Sequence, residues 1–493
     1  MKLQQLIDKL LFSRIIGDAD VEVAGIHNDG RAIKSNHMFV CTKGAKEDGH
    51  AYIPQAIANG AKSIVIQDEQ AHYEEGITYI FVPDTSKAAS IMVDTFYHSP
   101  TRQLQLIGIT GTNGKTTTTN LIEHILTYHH HKTGVIGTIE IRYPGFQEEA
   151  KLTTPLCYDL QRYFYNMSQA DVEYAVMEVS SHALDLGRAH GCHFKTAVFT
   201  NLTQDHLDYH ITMEAYGEAK GLLFAQLGND YEQASYAVLN SDDPWSERYA
   251  RKTSAQLITY GLGEDALVRA TNINITAAGT SFTLTTPLGE VEISTKLIGK
   301  FNVYNLLAAI SAVIPEGLTL MQIKAAIESV EGVPGRFEAV QQGQPFAVVV
   351  DYAHTPDSLE NVLRTAQQLE PRKLICVVGC GGDRDRTKRP LMARIAIEMA
   401  DHVYFTSDNP RTEDPVAILA DMTGQLTEEQ GHFTTNVDRK LAIEAAIAEA
   451  QAGDIIVIAG KGHENYQIIG TVKSHFDDRE VAKNQLIALG YEG

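Results

Sequence analysis

The sequence predicts an α/β protein with three domains and a doubly wound central sheet. Its 493 residues exceed what one compact core usually holds, so several domains are expected. Short β-branched runs alternate with helical segments, and most of these runs end in glycine or polar residues. This order is typical of parallel sheets with helices on both faces. We therefore predict a small N-terminal α/β domain (1–100), a doubly wound central domain (101–333) and a Rossmann-like C-terminal α/β domain (334–493).

The first hundred residues contain the elements of a small α/β unit. Residues 1–20 alternate charged and apolar residues at helical spacing, which predicts an amphipathic first helix rather than a signal peptide. A helical segment at 52–61 precedes strand-like runs at 63–67 and 79–82. Turn-forming residues at 97–103 then predict a domain boundary near residue 101.

The central domain begins with a buried strand at 104–110. Apolar strands at 174–179 and 196–202 follow, each with polar residues and then a helix behind it, as a doubly wound sheet requires. In residues 268–297, apolar and polar residues instead alternate with the two-residue period of a strand. This predicts a group of antiparallel strands before a helix at 302–314.

Beyond a turn at 330–338, four apolar runs predict an independent third α/β domain. These runs are 346–353, 373–379, 402–407 and 454–460. Because open parallel sheets bind ligands at the carboxyl ends of their strands, we expect ligand-binding residues in the loops that follow.

Composition and charge exclude some classes of function. The formal net charge of −21 and the pI near 5.3 argue against binding to nucleic acid phosphates, which requires clustered Lys and Arg. The five cysteines are scattered, which predicts neither a disulfide framework nor a zinc knuckle. No run of about 18 apolar residues occurs. We therefore expect a cytoplasmic monomer that binds neither nucleic acid nor a membrane.

The clearest motif is a glycine-rich loop between the strand at 104–110 and a helical run. Its candidate nucleotide-binding residues are Gly111, Thr112, Asn113, Gly114, Lys115, Thr116 and Thr117. Glycines let backbone N–H groups face phosphate oxygens, Lys115 supplies a positive charge, and Thr116 can bind Mg²⁺. Ile109 stands where the usual phosphate loop has its first glycine, and a plain glycine turn is the alternative. The Lys-Thr pair after the loop favours binding of ATP or GTP.

Acidic and histidine side chains follow two strands of the central domain. They are Glu178, with Ser180, Ser181 and His182 after it, and then Asp205, His206, Asp208 and His210. Carboxylates without accompanying cysteines match Mg²⁺ better than zinc. Hydrogen bonding near the sheet edge explains His182 and His210 equally well. Glu178 and His206 are therefore the better candidates for a metal site.

These motifs together resemble the Mur ligase family, which builds the peptide stem of the bacterial cell wall. The resemblance is carried by GITGTNGKTTT (108–118), MEVSSHAL (177–184), FTNLTQDHLDYH (199–210), LIGKFNVYN (297–305), GVPGRFE (332–338) and VDYAHTPDSL (350–359). It implies a ligase that uses ATP and Mg²⁺ to form an amide bond through an acyl phosphate. Further segments at 379–392, 406–415 and 459–467 resemble the members that add meso-2,6-diaminopimelate to UDP-N-acetylmuramoyl-L-alanyl-D-glutamate, a UDP-N-acetylmuramoyl dipeptide.

The resemblance also implies roles for individual residues. The implied catalytic residues are Lys115, Glu178, His206 and Lys220, and the implied Mg²⁺ ligands are Thr116, Glu178, His206 and Lys220. Lys220 corresponds to a carbamylated lysine; on the sequence alone it is a helical lysine, for which a solvent-exposed position is favoured. The further implied nucleotide-binding residues are Asn302, Asn305, Arg336, Asp351 and His354. The residues implied to bind the UDP-sugar peptide are Gly30, Thr153, Thr154, Ser180 and Arg188.

The segment Asp408-Asn409-Pro410-Arg411 matches the motif of the diaminopimelate-adding members. Diaminopimelate has a carboxylate at its far end that lysine lacks, and a guanidinium can bind a carboxylate through two parallel hydrogen bonds. The other implied residues around this amino acid are Arg384, Gly460 and Glu464, of which Glu464 can face the distal ammonium. A surface turn is the alternative explanation for the segment, because Asp and Asn-Pro are turn formers.

Three positions depart from the family pattern on the acceptor side. Gly30 stands where such ligases usually have serine, and Leu152 and Leu156 stand where asparagine and glutamate are common. A paralogue that acts on a modified acceptor is therefore one alternative. A folylpolyglutamate-type ligase shares the loop and the chemistry but not the later segments at 408–411 and 460–464, and a non-catalytic nucleotide-binding regulator is a third.

Overall fold

The structure is a computed structural model that describes residues 1–44, 47–229, 233–276, 278–426 and 432–491. The chain forms two compact units. The first comprises residues 1–110, 130–197 and 222–235, and the second comprises residues 111–129, 198–221 and 236–493. No helix among the described residues is long and apolar enough to cross a membrane.

The elements up to residue 225 follow in a mostly alternating α/β order. They are α1 (Leu3–Ile7), β1 (Arg14–Ile16), β2 (Gly25–His27), β3 (His37–Val40), α2 (Ile53–Ala58), β4 (Ser63–Ile66), β5 (Thr78–Phe81), α3 (Thr85–Phe96), β6 (Gln105–Thr110), α4 (Lys115–Tyr128), β7 (Thr133–Ile136), β8 (Glu140–Tyr143), β9 (Phe146–Glu149), α5 (Cys157–Gln169), β10 (Tyr174–Glu178), α6 (Ser181–Asp185), β11 (Thr196–Phe199), α7 (Leu207–His210) and α8 (Met213–Ala225).

The later elements also alternate between strands and helices for the most part, apart from the successive strands at residues 256–295. They are β12 (Tyr236–Asn240), α9 (Trp245–Ala250), β13 (Gln256–Gly261), β14 (Val268–Thr276), β15 (Gly279–Thr286), β16 (Gly289–Thr295), α10 (Lys300–Val313), α11 (Leu320–Glu328), β17 (Glu338–Ala339), β18 (Ala347–Asp351), α12 (Pro356–Gln368), β19 (Leu374–Cys380), α13 (Lys388–Met399), β20 (His402–Ser407), α14 (Pro415–Thr423), β21 (Phe433–Asn436), α15 (Arg439–Glu449), β22 (Ile455–Ala459), β23 (Tyr466–Ile469), β24 (Val472–His475) and α16 (Asp478–Ala488).

The N-terminal sheet has five strands in the order β1-β5-β4-β3-β2. All neighbouring pairs are parallel except β1 and β5. Alternate residues of β3 pack on opposite faces: Met38 and Val40 lie in one buried cluster and Phe39 in another. Because both faces are buried, the strands are continuous apolar runs, which is why the strands at 63–67 and 79–82 could be predicted from the sequence.

The predicted amphipathic first helix is much shorter than its sequence pattern. Helix α1 ends at Ile7, and residues Arg14–Ile16 form an edge strand. Ile15 and Ile16 pair with Ile80 and Tyr79 of β5. The expectation for this segment was therefore wrong beyond the first turns, because pairing of β-branched residues with the sheet overrides a helical pattern.

The central sheet has eleven strands in the order β16-β15-β14-β13-β12-β11-β6-β10-β7-β8-β9. Strands β6, β10 and β7 are parallel, as are β12 and β13. Strands β14, β15 and β16 are antiparallel, which confirms the antiparallel strands predicted at 268–297. This arrangement confirms the predicted doubly wound sheet.

The C-terminal sheet has six strands in the order β17-β18-β22-β19-β20-β21, of which only β17 is antiparallel to its neighbour. Strand β19 is buried on both faces. Cys376 and Val378 pack with residues of α12 and α13, whereas Ile375 and Val377 pack with residues of α15 and α16. Strands β23 and β24 form a separate two-stranded sheet. The predicted α/β class is confirmed, and the residue boundaries of the three domains stay a prediction.

Candidate active site

The glycine-rich loop joins β6 to α4 in a conformation that requires glycine at two positions. Gly111 has φ +148°, and a Cβ atom there would lie 1.8 Å from Oγ1 of Thr200. Gly114 has φ +87°, and its Cβ would lie 2.3 Å from Oδ1 of Asn305. Left-handed backbone and close approach both exclude larger residues. A plain strand-to-helix turn would not require glycine at both positions.

The residues that follow β11 hold this loop in place. The N–H of Thr112 donates to the carbonyl of Asn201 at 2.8 Å, and the N–H of Asn113 donates to Oδ1 of Asn201 at 2.9 Å. Oγ1 of Thr200 donates to the carbonyl of Asn113 at 2.6 Å. The two residues after β11 therefore hold the loop backbone in a fixed conformation. Such preorganisation suits a phosphate site.

Helix α4 begins at Lys115, directly after the loop. The Lys115 ammonium donates to the carbonyls of Gly111 and Thr112, both at 2.8 Å. Oγ1 of Thr116 accepts a hydrogen bond of 3.0 Å from Nη2 of Arg336, and Thr117 is buried. The positive end of the helix and the lysine thus lie together, as binding of a polyphosphate requires.

Lys220 lies against the same loop and is only 1% exposed. Its ammonium donates to the carbonyl of Gly111 at 2.7 Å and lies 4.4 Å from the ring centre of Tyr216. Burial, with a further contribution from Lys115, lowers the pKa of Lys220 well below its usual value. A solvent-exposed lysine, the explanation favoured by the sequence alone, is therefore wrong.

A second charged cluster surrounds the buried carboxylate of Asp205. Its oxygens lie 3.4 Å from Nε2 of His206, 3.8 Å from Nε2 of His354 and 3.6 Å from Nζ of Lys388. Burial alone would raise the pKa of Asp205, but Lys388, His206 and His354 hold it below its usual value. Burial also lowers the pKa of His354 to about 4. The cluster therefore combines an ionised carboxylate, a lysine and a neutral His354.

Arg336 connects the loop to the strand end of β18. Its guanidinium lies 4.6 Å above the Tyr352 ring, and its Nη2 contacts Thr116. Oδ2 of Asp351 accepts from the N–H of Phe337 at 2.7 Å. Burial raises the pKa of Asp351 to about 6, although Arg336 and this N–H oppose the shift.

Asn302 and Asn305 lie on one face of α10, as predicted. Nδ2 of Asn305 donates to Oδ1 of Asn302 at 3.2 Å, and Nδ2 of Asn302 donates to the carbonyl of Ile298 at 2.9 Å. Both asparagines are buried, and Asn305 abuts Gly114. The helix therefore places amide groups beside the loop.

In the first unit, Glu178 is 1% exposed at the end of β10. Its Oε1 accepts from the N–H of Thr138 at 2.9 Å, and its Oε2 accepts from Oγ1 of Thr138 at 2.9 Å. Oγ1 of Thr138 lies 3.1 Å from Oγ1 of Thr153, whose hydroxyl can donate to it. The carboxylate is thus held in place by the backbone and the hydroxyl of one residue.

The residues predicted to bind the UDP-sugar peptide lie close to Glu178, except Gly30. Oγ1 of Thr154 donates to the carbonyl of Glu178 at 2.9 Å and accepts from the N–H of Ser180 at 3.0 Å. Nη1 of Arg188 donates to the carbonyl of Thr154 at 3.1 Å. Gly30 lies elsewhere in the unit, where its carbonyl accepts from Asn59 at 2.8 Å.

The segment Asp408-Asn409-Pro410-Arg411 follows β20. Asp408 and Asn409 are 7% and 3% exposed, so a surface turn, the alternative explanation for this segment, is wrong. Nη1 of Arg411 donates to the carbonyl of Gly382 at 2.8 Å. A Cβ atom at Gly381 would lie 2.9 Å from Nη1 of Arg411 and 3.8 Å from Cγ of Arg384. The two arginines therefore flank one glycine, an arrangement suited to a carboxylate ligand.

Gly460 lies beside Asp408, and Glu464 contacts Asn409. A Cβ atom at Gly460, which has φ +119°, would lie 2.8 Å from Oδ2 of Asp408. Oε2 of Glu464 accepts from Nδ2 of Asn409 at 2.8 Å. All the predicted amino-acid-binding residues thus occur in loops after β19, β20 and β22, at the carboxyl ends of parallel strands.

Sequence reasoning missed several residues of these clusters. Thr200 and Asn201 directly follow a buried strand, which was a usable signal. Lys388 and Lys461 lie inside segments that carry the family resemblance, but nothing in their sequence context indicates that they are buried beside carboxylates. For Tyr352, the only indication in the sequence was its position next to Asp351.

Comparison with known proteins agrees with this geometry. Three family models match the chain: the Mur ligase family catalytic domain over residues 22–97, the Mur ligase middle domain over 109–313 and the Mur ligase glutamate ligase domain over 335–462. A UDP-N-acetylmuramoyl-L-alanyl-D-glutamate–2,6-diaminopimelate ligase of Bacillus cereus is 52% identical over 488 residues, which cover 99% of this chain and 98% of that protein. The chain belongs to the Mur ligase family.

Solved structures of Mur ligases and related enzymes share this fold. A structure of a UDP-N-acetylmuramoyl-L-alanyl-D-glutamate–2,6-diaminopimelate ligase is 32% identical, covers 99% of both chains and gives a TM-score of 0.70. A folylpolyglutamate synthase of Mycobacterium tuberculosis, solved with ADP and AMPPCP, is 19% identical over 82% of this chain and 95% of its own, with a TM-score of 0.61. The second similarity shows the fold alone.

Proposed function

We propose that this Mur ligase adds meso-2,6-diaminopimelate to UDP-N-acetylmuramoyl-L-alanyl-D-glutamate, with ATP as the energy source, in the synthesis of peptidoglycan precursors. The observation that carries the proposal is the 52% identity to a ligase of this specificity over 99% of the chain. The glycine loop with Lys115 and the two arginines beside Gly381, Arg384 and Arg411, supply a chemical basis for it.

The reaction has two steps. A carboxylate oxygen of the acceptor attacks the γ-phosphorus of ATP, ADP leaves and an acyl phosphate forms. The neutral amino group of diaminopimelate then attacks the acyl carbon, phosphate leaves with the bonding electrons, and the amine loses a proton to give the amide. Lys115 and the N–H groups at the start of α4 stabilise the phosphate charge, so catalysis is mainly positioning and charge neutralisation.

The chain also contains residues that suit Mg²⁺. We propose Thr116, Glu178, His206 and Lys220 as its ligands, Lys220 after carbamylation. The burial of Lys220 fits this assignment, because a lysine with a lowered pKa is neutral more often and only a neutral amine reacts with CO₂ to give a carbamate. Bound Mg²⁺ would neutralise negative charge on the phosphates.

The remaining assignments concern the acceptor and the cellular setting. Thr153, Thr154, Ser180 and Arg188 form a connected polar cluster around Glu178, which supports binding of the acceptor there. We further propose a cytoplasmic monomer that acts on soluble precursors and binds neither nucleic acid nor membranes, in line with the net charge of −21.

The test is phosphate release by the purified protein. With ATP, UDP-N-acetylmuramoyl-L-alanyl-D-glutamate and diaminopimelate, release should be rapid, and replacing diaminopimelate by lysine should nearly abolish it. Equal use of lysine would overturn the amino-acid assignment. Activity with folate and glutamate in place of these substrates would favour a folylpolyglutamate-type ligase, and ATP binding without phosphate release under any of these conditions would favour a regulator.

A further inference from the structure

A fully buried lysine lies among the proposed amino-acid-binding residues. Lys461 follows β22 and its side chain is 0% exposed. Its Nζ lies 3.0 Å from Oε2 of Glu464, 3.3 Å from Oδ1 of Asn409 and 4.0 Å from Oδ1 of Asp408. Burying an ammonium is costly unless it is paired and hydrogen-bonded, and here the partners are residues proposed to bind the substrate.

Lys461 and Asn409 together determine how the Glu464 carboxylate is oriented. Oε2 accepts from Nζ of Lys461 at 3.0 Å and from Nδ2 of Asn409 at 2.8 Å. Oε1 accepts a longer bond of 3.4 Å from the hydroxyl of Tyr466. One oxygen is therefore held by two short bonds to the protein, and the other is the better acceptor for an ammonium of a ligand.

The charges around Glu464 make its ionisation depend on Lys461. The groups that face it are Asp408, Lys461, Tyr466, Tyr352 and Arg439. Burial and then the like charge of Asp408 raise the pKa of Glu464, and Lys461 is the main group that opposes this shift. Without Lys461, two buried carboxylates would share the site, and one of them would take up a proton at higher pH.

We propose that Lys461 is a positioning residue that supplies the positive charge needed for the Glu464 carboxylate to face the distal ammonium of diaminopimelate. This inference rests on the proposed function and extends it to a residue that does not itself contact the reacting atoms. Lys461 acts through Glu464, so its removal should affect binding of the amino acid and leave binding of ATP nearly unchanged.

The decisive variant is Lys461→Met, assayed in the full chain with saturating acceptor. The KM for diaminopimelate should rise by at least about 30-fold, because truncating one partner of a buried charge pair costs several kcal/mol, while the KM for ATP should change less than about threefold. The KM for diaminopimelate should also fall as the pH rises in the variant, because Glu464 then loses its proton. The wild-type KM should depend less on pH.

Two further variants separate positioning from a structural role. Lys373→Met is the matched control. Lys373 directly precedes β19, away from the ends of the strands that carry the site, and its Nζ lies 3.1 Å from Oε1 of Glu449. This variant should leave both KM values unchanged. Glu464→Gln should reproduce the loss of diaminopimelate binding without the pH dependence. The double variant Lys461→Met/Glu464→Gln should be no worse than either single variant, since both act through one carboxylate.

The outcomes distinguish this inference from the proposed function. If the wild-type protein releases no phosphate with diaminopimelate, the proposed function fails. If the wild type is active but Lys461→Met keeps a normal KM for diaminopimelate, or shows the wild-type pH dependence, the inference is overturned. Should Lys461→Met fail to fold, the double variant, which removes both the Lys461 ammonium and the Glu464 carboxylate, serves instead. A normal KM for diaminopimelate in the double variant would equally overturn the inference.

Discussion

The ion pair between Arg439 and Asp478 stabilises the loops of the proposed amino-acid site, and both side chains are 0% exposed. Nε of Arg439 donates to Oδ1 of Asp478 at 2.8 Å, and Nη2 donates to Oδ2 at 2.6 Å. Nη2 also donates to the carbonyl of Ala459 at 3.0 Å, and Nη1 donates to that of Ser407 at 3.4 Å. These carbonyls end β22 and β20, directly before Gly460 and Asp408.

We expect Arg439→Met to lower the free energy of unfolding by about 3–5 kcal/mol, because it leaves the Asp478 carboxylate buried without its charged partner. For a domain of about 150–250 residues, this corresponds to a fall of about 6–20 °C in the unfolding temperature. The KM for diaminopimelate should rise as well, since the ends of two strands lose a common hydrogen-bond donor.

Scanning calorimetry and steady-state kinetics measure both effects. The control is Arg364→Met, which breaks the exposed pair between Arg364 and Glu360 on α12 (59% and 45% exposed) and should cost less than about 1 kcal/mol. The double variant Arg439→Met/Asp478→Leu should recover most of the lost stability, because it removes both charges of the buried pair. An unfolding temperature of Arg439→Met within about 2 °C of wild type, or a double variant as unstable as the single one, would refute this reasoning.

Three further predictions concern the loop, the amino-acid site and acid stability. Gly111→Ala should weaken binding of an ATP analogue at least about tenfold by titration calorimetry, since strained φ alone costs about 1–2 kcal/mol and the new Cβ would overlap Thr200; unchanged affinity would contradict the loop assignment. Arg411→Ala should raise the KM for diaminopimelate about 30-fold by removing a charge-assisted hydrogen bond and erase most of the preference over lysine, and a retained preference would show that other residues select the amino acid. Hydrogen bonds from Arg389 lower the pKa of Glu413 from 4.5 to about 2, so this stabilisation is present above about pH 4.5 and is lost as the pH falls toward 2; Glu413→Gln should flatten the decline of the unfolding temperature between about pH 5 and pH 3, and an unaltered slope would argue against it.

Several strands could be predicted because burial on both faces leaves a continuous apolar run in the sequence. Strand β20 has the predicted range of 402–407, and β4 and β6 agree within one residue at each end. The first helix could not be predicted in the same way, since residues 14–16 pair with β5, and a distant partner leaves no trace in the local pattern.

Candidate residues could be found wherever a polar or glycine residue follows an apolar strand. This signal identified Gly111 and Glu178 without knowledge of their surroundings, whereas Asp408 was identified through the family resemblance. It could not identify Lys388 or Lys461, because a lysine that pairs with a buried carboxylate has the same local sequence as one that faces solvent.

The sequence by itself determined the α/β class, the positions of several buried strands, the phosphate loop and the family, because these depend on periodicity and on motifs within a few residues. Only the tertiary structure decided which charged side chains are buried. Without the family resemblance, the local sequence favoured a solvent-exposed Lys220, yet it is buried against the carbonyl of Gly111. Burial and the distance between charges arise from segments far apart in the chain, and these two quantities set the pKa values and ion pairs of the site.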